Sequence, residues 1–177
     1  MAKIFTTEIT SDNLVSDNPI HQRLYKAYVA AVPYIKGDVL EVGCGEGRGL
    51  DLIIPKASSF TAVDKIESAL AKLRAKYPGG KFLSMNIPPL AQLQDNAYDV
   101  LITFQVIEHI EDDALFLKEL HRVLKPGGIA LVTTPNRKMS LTRNPWHVRE
   151  YLAAELKQLA ERYFATVEMK GITGNEK

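Results

Sequence analysis

Cysteine is nearly absent: Cys44 is the one cysteine in 177 residues, so the chain has no internal disulfide and its thiol usage fits a reducing compartment. Long apolar runs are missing too, since none approaches the roughly 18 residues of a membrane-spanning helix. The opening Met1-Ala2-Lys3-Ile4-Phe5-Thr6-Thr7-Glu8 lacks the apolar stretch of a secretory signal, and a cytoplasmic location is the expectation. Neither sign of charge dominates. The 22 Lys and Arg against 21 Asp and Glu leave a formal net charge of +1, scattered without a dense basic run, which gives a nucleic-acid partner no support. What is present is ordinary for a globular protein, with 46% hydrophobic and 24% charged residues in a length that suits one domain with its own core.

The stretch around which the chain is organised is Val39-Leu40-Glu41-Val42-Gly43-Cys44-Gly45-Glu46-Gly47-Arg48-Gly49. An apolar run suits a buried parallel strand, and the glycines after it allow positive φ and leave no Cβ between backbone and ligand. The dinucleotide fingerprint G-x-G-x-x-G needs a third glycine five places after its first. Counted from Gly43 that place is Arg48, and from Gly45 it is Leu50, so a diphosphate is disfavoured and a nucleoside cofactor without one is not.

The rest of the chain alternates helical and extended patterns. Pro19 opens a helix over Ile20 to Tyr34, capped by Asn18, that either covers the sheet or acts as a lid. A short helix from Gly49 to Ile54 stops at Pro55, and a second strand, Ser59 to Val63, ends on Asp64. A helix over Glu67 to Tyr77, a strand over Lys81 to Ser84 and a strand over Tyr98 to Phe104 follow. Ile110 to Leu124 is amphipathic, and its stripe Leu117, Leu120, Val123 and Leu124 reads as core. Lys125-Pro126-Gly127-Gly128 turns into a fifth strand, Ile129 to Thr134. A polar connection leads to a helix over Arg149 to Tyr163 and a sixth strand around Thr166 to Lys170. Continuous apolar strands alternating with helices predict an α/β fold, a doubly wound, mostly parallel Rossmann-like sheet with helices on both faces. The expected division is a helical cap over residues 1–37, a cofactor-binding core over 38–134, and an acceptor-side loop, helix and last strand over 135–177. Ligands of such folds lie beyond the carboxyl ends of the strands, where Glu41 to Gly47, Asp64, Asn86 and Phe104 to His109 all fall.

In order, these motifs resemble those of class I S-adenosylmethionine-dependent methyltransferases, with the likeness spanning nearly all of Asp38 to Thr134. It extends to the type 11 group related to ubiquinone-biosynthesis O-methyltransferases through Asn144-Pro145-Trp146-His147-Val148-Arg149-Glu150-Tyr151, a stretch on the acceptor side in that group. The resemblance implies S-adenosyl-L-methionine as cofactor and S-adenosyl-L-homocysteine as product. It places the acid Glu41 and the loop of Gly43, Cys44, Gly45 and Gly47 on the methionine moiety. Asp64 falls on the ribose hydroxyls, Lys65 and Ile66 beside the adenine, Asn86 and Ile87 near the adenine amine, and Phe104 and Gln105 in the fourth motif. Asn86 stands where the family usually carries an acid. A solvated acid at a strand end is the plainer reading of Asp64, and Cys44 reads as the family's small loop residue, not a nucleophile.

The implied reaction moves a methyl group to a small-molecule acceptor, most simply to an oxygen, with nitrogen and carbon as the alternatives. An oxygen nucleophile wants a general base, and His109 and His147 are the candidates, because an imidazole with an ordinary pKa of about 6.5 takes a proton near neutrality. Capping a helix is the plainer role for the Glu108-His109 pair. Glu108, His109 and His147 also resemble part of the metal set of methyltransferases acting on RNA 3′ ends or catechols. Those enzymes carry an acid where this chain has Gln105, so no metal is assigned. A module that binds the cofactor without turnover is the alternative from another class, and a nicotinamide dehydrogenase has only the glycine loop in its favour. The family's sheet has a seventh strand for which this sequence has no segment: either the sheet is short by one strand or the chain is cut from something longer. The acceptor's identity and the oligomeric state are not encoded in these motifs.

Overall fold

The computed structural model describes residues 19–140 and 144–172. Their strands build one five-stranded, all-parallel sheet in the order β3-β2-β1-β4-β5, where β1 is Asp38–Val42, β2 Ser59–Asp64, β3 Lys81–Ser84, β4 Tyr98–Phe104 and β5 Leu124–Thr133. The helices are α1 Pro19–Ala31, α2 Leu50–Ile53, α3 Glu67–Lys76, α4 Asp113–Val123 and α5 Ala153–Ala160. Strand order reverses between β1 and β4, which pair through Val39 with Val100, Leu40 with Leu101 and Glu41 with Ile102. A crevice therefore opens at their carboxyl ends, the place where such sheets bind ligands.

Alternation along β1 sends side chains to two separate cores. Val39 joins Leu24, Ala27, Tyr28 and Ala31 of α1, Leu50 and Ile53 of α2, and Leu70 and Leu73 of α3. Leu40 and Val42 join Phe116, Leu117, Leu120 and Val123 of α4 and Leu156 of α5 on the other face. The apolar stripe of α4 is core, as its spacing predicts. The buried face of α1 shows how this helix is used: it covers the sheet.

Several boundaries differ from expectation. α4 begins at Asp113, not Ile110, because the Asp112 carboxylate accepts the Leu115 N–H at 2.9 Å and caps the helix there, while Ile107–His109 winds a separate 3-10 turn. α5 is shorter than the predicted Arg149 to Tyr163. Tyr151 pairs with Asn136 in a parallel bridge, and the Glu155 carboxylate accepts the Leu152 N–H at 2.9 Å, so the helix starts only at Ala153. β5 begins before the predicted Ile129, since Leu124 already pairs with Tyr98, and Lys125 to Gly128 form a bulge before Ile129 meets Val100.

The expected sixth strand is not formed: Thr166 to Lys170 join no ladder. Most of these residues are exposed, so pairing would bury little apolar surface, and Lys170 Nζ instead donates to the Tyr34 hydroxyl at 3.3 Å. β5 is thus an outer strand, with Ile129 to Thr133 half-buried. The Asn18 cap lies outside the described residues. No helix among the described residues is long and apolar enough to cross a membrane.

α1 is held close to the glycine loop at one contact, where a methyl on Gly49 would fall 2.0 Å from the Tyr28 ring. Gly49→Ala should destabilise the protein by about 1–3 kcal/mol through overpacking, read as a lower urea midpoint at unchanged slope. Gly79→Ala, where the methyl meets open space, should change stability by no more than about 0.5 kcal/mol.

Candidate active site

The loop after β1 turns on Gly43, Gly45 and Gly47, whose φ angles are 79°, 52° and 77°. Three hydrogen bonds hold it to β2: Gly43 and Cys44 N–H donate to the Val63 carbonyl at 2.8 and 3.4 Å, and Gly45 N–H donates to Asp64 Oδ2 at 2.8 Å. A Cβ on Gly45 would meet no atom within 4 Å, so this part of the loop faces open space. Asp64 Oδ1 accepts the Ile66 N–H at 2.9 Å. Each carboxylate oxygen has a second lone pair, so Asp64 can still receive the hydroxyls of a sugar.

Glu41 lies beneath this loop with 1% of its surface exposed. Tyr28 donates its hydroxyl to Glu41 Oε1, and Oε2 is buried with no hydrogen-bond partner. Burial raises the Glu41 pKa, the Tyr28 hydrogen bond opposes that, and the Asp64 charge adds to it, leaving the carboxyl pushed up to about 8. Tyr28 also meets Phe104 edge to face, with ring centroids 4.9 Å apart. Neither the acid's second oxygen nor the tyrosine's place beside it is visible in the helical spacing of α1, from which Tyr28 reads only as a core residue. A short run cannot reveal which residue 13 positions away its hydroxyl reaches.

Cys44 is buried, and burial followed by the Glu41 and Asp64 charges raises its thiol pKa well above the ordinary value, so it stays a thiol. Lys65 and Asn86 are exposed at the mouth, with Ile66 and Ile87 half-buried beside them. At the end of β4, Gln105 takes a φ of 58°, uncommon for a residue with a side chain. Its N–H donates to the Thr133 carbonyl at 2.9 Å, and its side-chain amide donates to Thr133 Oγ1 at 3.3 Å.

His109 and His147, 38 positions apart in sequence, are brought together with ring centroids 5.0 Å apart. The linking loop is tied down because Val148 and Arg149 N–H both donate to the Glu108 carbonyl, at 2.8 and 3.2 Å. Glu108 is 1% exposed, and the Thr134 hydroxyl donates to its Oε2 at 2.9 Å. The Glu108-His109 pair therefore does not cap α4, a task that falls to Asp112.

The raised Glu41 pKa gives stability a pH dependence of known sign. Between about 4.5 and 8 the folded chain keeps a proton that the unfolded chain has lost, so this group's contribution falls as pH rises through that window and levels off above it. Glu41→Gln, which cannot ionise, should flatten the fall in urea midpoint between pH 5 and 8, where the wild-type slope from this group approaches about 1.4 kcal/mol per pH unit. Parallel profiles would show that Glu41 ionises normally.

Comparison with known proteins fits this geometry. A family profile described as "Methyltransferase domain" matches residues 40–132. A protein of Mycolicibacterium smegmatis, named a probable S-adenosylmethionine-dependent methyltransferase, is 42% identical over 162 residues, covering 88% of this chain and 63% of its own length. A ubiquinone biosynthesis O-methyltransferase of Rickettsia conorii is 36% identical over 106 residues, 58% of this chain and 36% of that protein. Among solved structures, a protein of Pyrococcus horikoshii OT3 superposes with a TM-score of 0.74 at 21% identity, covering 97% of this chain and 92% of that one, a likeness of fold. The chain spans a little under two thirds of the length of the mycobacterial relatives it matches. With its glycine loop, Asp64 and fourth strand all inside the matched region, the chain belongs to the methyltransferase-domain family.

Proposed function

We propose that the chain binds S-adenosyl-L-methionine and transfers its methyl group to an oxygen of a small-molecule acceptor. The observation that carries this reading is the pairing of two acids across one open glycine loop. Glu41 offers a buried oxygen without a partner, and Asp64 offers lone pairs at the mouth. A cofactor with an ammonium at one end and a ribose nearer the other suits that pair, because a cation beside Glu41 favours its charged form and donates to the oxygen without a partner, and the vicinal hydroxyls suit a carboxylate. The name of the mycobacterial relative supports the cofactor, and the rickettsial name supports oxygen as the acceptor atom.

In this reading Glu41 and the Gly43 to Gly47 loop hold the methionine moiety, and Asp64 holds the ribose. Lys65, Ile66, Asn86 and Ile87 flank the base. Phe104 and Gln105 close the crevice from β4. When bound, the cofactor supplies a methyl group already activated by its sulfonium, so the protein's task is to align the acceptor and exclude water. His109 and His147 lie on the acceptor side. His109 Nδ1 sits 2.9 Å from the Trp146 carbonyl, which can only accept, so Nδ1 carries the proton and Nε2 the lone pair. In this reading the His109 imidazole receives the acceptor's proton.

Isothermal titration with S-adenosyl-L-homocysteine tests the binding half. Wild-type protein should bind it saturably, and Asp64→Ala should weaken binding by at least about tenfold, as expected for hydrogen bonds to a charged group. Absence of heat, or an Asp64→Ala variant that binds like wild type, would sink the reading. Transfer of a labelled methyl to phenol or catechol acceptors then separates turnover from binding alone.

A further inference from the structure

The spacing of α1 marks Tyr28 as a core residue, and 3% of its surface is exposed. Its hydroxyl nevertheless ends on an acid, donating to Glu41 Oε1. Burial, followed by the neighbouring Glu41 charge, holds the Tyr28 pKa well above its ordinary value, so the phenol keeps its proton and stays the donor. With Oε1 taken, a proton carried by the carboxyl sits on Oε2, the oxygen that is buried without a hydrogen-bond partner.

The surroundings of Glu41 favour that neutral form. Tyr28 from α1 supplies one uncharged donor, Asp64 at the end of β2 is a second acid, and the Cys44 thiol of the loop is uncharged. Arg48 of the same loop is buried, and its charge acts on Tyr28. From β4 the Phe104 ring meets Tyr28 edge to face and carries no charge. A carboxylate closed in by these groups lacks the hydration and the donors that a buried charge needs. An ammonium brought to Oε2 would supply both a charge and a donor. It can meet a carboxylate there only after the Oε2–H bond breaks and the proton passes to solvent. The Tyr28 bond meanwhile fixes the rotation of the carboxyl, so Oε2 is held in one orientation.

We propose that Tyr28 is a positioning residue for the cofactor's ammonium, and that Glu41 releases one proton to solvent when the cofactor binds. The proposal rests on the cofactor reading above and adds that affinity is tied to pH. Without cofactor, the folded chain holds the Glu41 proton up to a pH of about 8, and the ammonium lowers that pKa by favouring the charged form. Affinity therefore rises with pH toward that value, by up to about tenfold per unit.

Isothermal titration with S-adenosyl-L-homocysteine in buffers of different ionisation enthalpy counts the proton, because the observed heat varies with the buffer in proportion to the protons released. Wild-type protein should release about 0.9 proton per ligand at pH 7 and about 0.5 at pH 8. Tyr28→Phe keeps the ring beside Phe104 and Gly49 but removes the hydrogen bond that lowers the Glu41 pKa. It should bind about tenfold more weakly and release more than wild type at pH 8, approaching one proton. A tyrosine that serves packing alone would change the urea midpoint and leave the proton count as it was. Tyr77→Phe, at a tyrosine that donates to Asp51 at 2.7 Å away from the loop, should match wild type in both measurements. At pH 7 the unliganded wild type should also show the infrared C=O stretch of a protonated carboxyl, lost on binding and missing from Glu41→Gln. Urea midpoints identify the variants that are folded. Saturable binding without proton release at pH 7, a folded Tyr28→Phe that binds and releases protons like wild type, or a carboxyl band that persists in Glu41→Gln would overturn the proposal and leave the cofactor reading standing. Absence of binding in every buffer would overturn both.

Discussion

The burial of one acid constrains the rest of this structure. Glu41 lies next to last in the central strand, where water cannot reach it, and a carboxyl in that position must be neutralised or partnered. It is partly both. Its pKa is raised by burial, and Tyr28 satisfies one of its two oxygens. That single hydrogen bond pins α1 to the sheet, and the Tyr28 ring, wedged between Phe104 and the backbone of Gly49, sets how close helix and loop can come. The second oxygen is left without a partner, a cost that folding leaves in place.

The opposite side of the crevice is organised on another principle. Among the described residues it is built from two 3-10 turns, Ile107–His109 and Arg137–Met139, and Val148 and Arg149 return to the first through backbone bonds on the Glu108 carbonyl. A loop fastened in this way brings His147 to His109 across the intervening α4 and β5. Glu41 and Asp64 are thus mounted on strands, and His109 and His147 on hydrogen-bonded turns and loops. Such a division fits a family in which one cofactor serves many acceptors, because the strands fix the common part and the loops vary.

Much of the strand-end geometry around the glycine loop was legible in the residue order. The apolar run of β1 followed by alternate glycines, Asp64 at the end of β2 and the fourth strand ending at Phe104 are local patterns, each readable within about ten residues. All three fall where the parallel topology brings strand ends together. The last strand was misread because Thr166 to Lys170 has an acceptable strand composition, and composition says nothing about whether a neighbouring edge will bury it. Helix starts at Asp113 and Ala153 were misplaced for a similar reason, since the competing side-chain caps and the Asn136–Tyr151 bridge depend on where the chain has already been placed.

By itself the sequence determined the alternation of strands and helices, the glycine loop and the acids at strand ends, because periodicity, backbone freedom and turn chemistry act over short stretches of chain. Only the tertiary structure decided that Tyr28 would satisfy Glu41, that one oxygen of that acid would go without a partner, and that His109 and His147 would meet with each Nδ1 committed to an acceptor. Those outcomes turn on side chains separated by 13 and 38 positions whose distance is set by packing, and no local pattern encodes a distance of that kind.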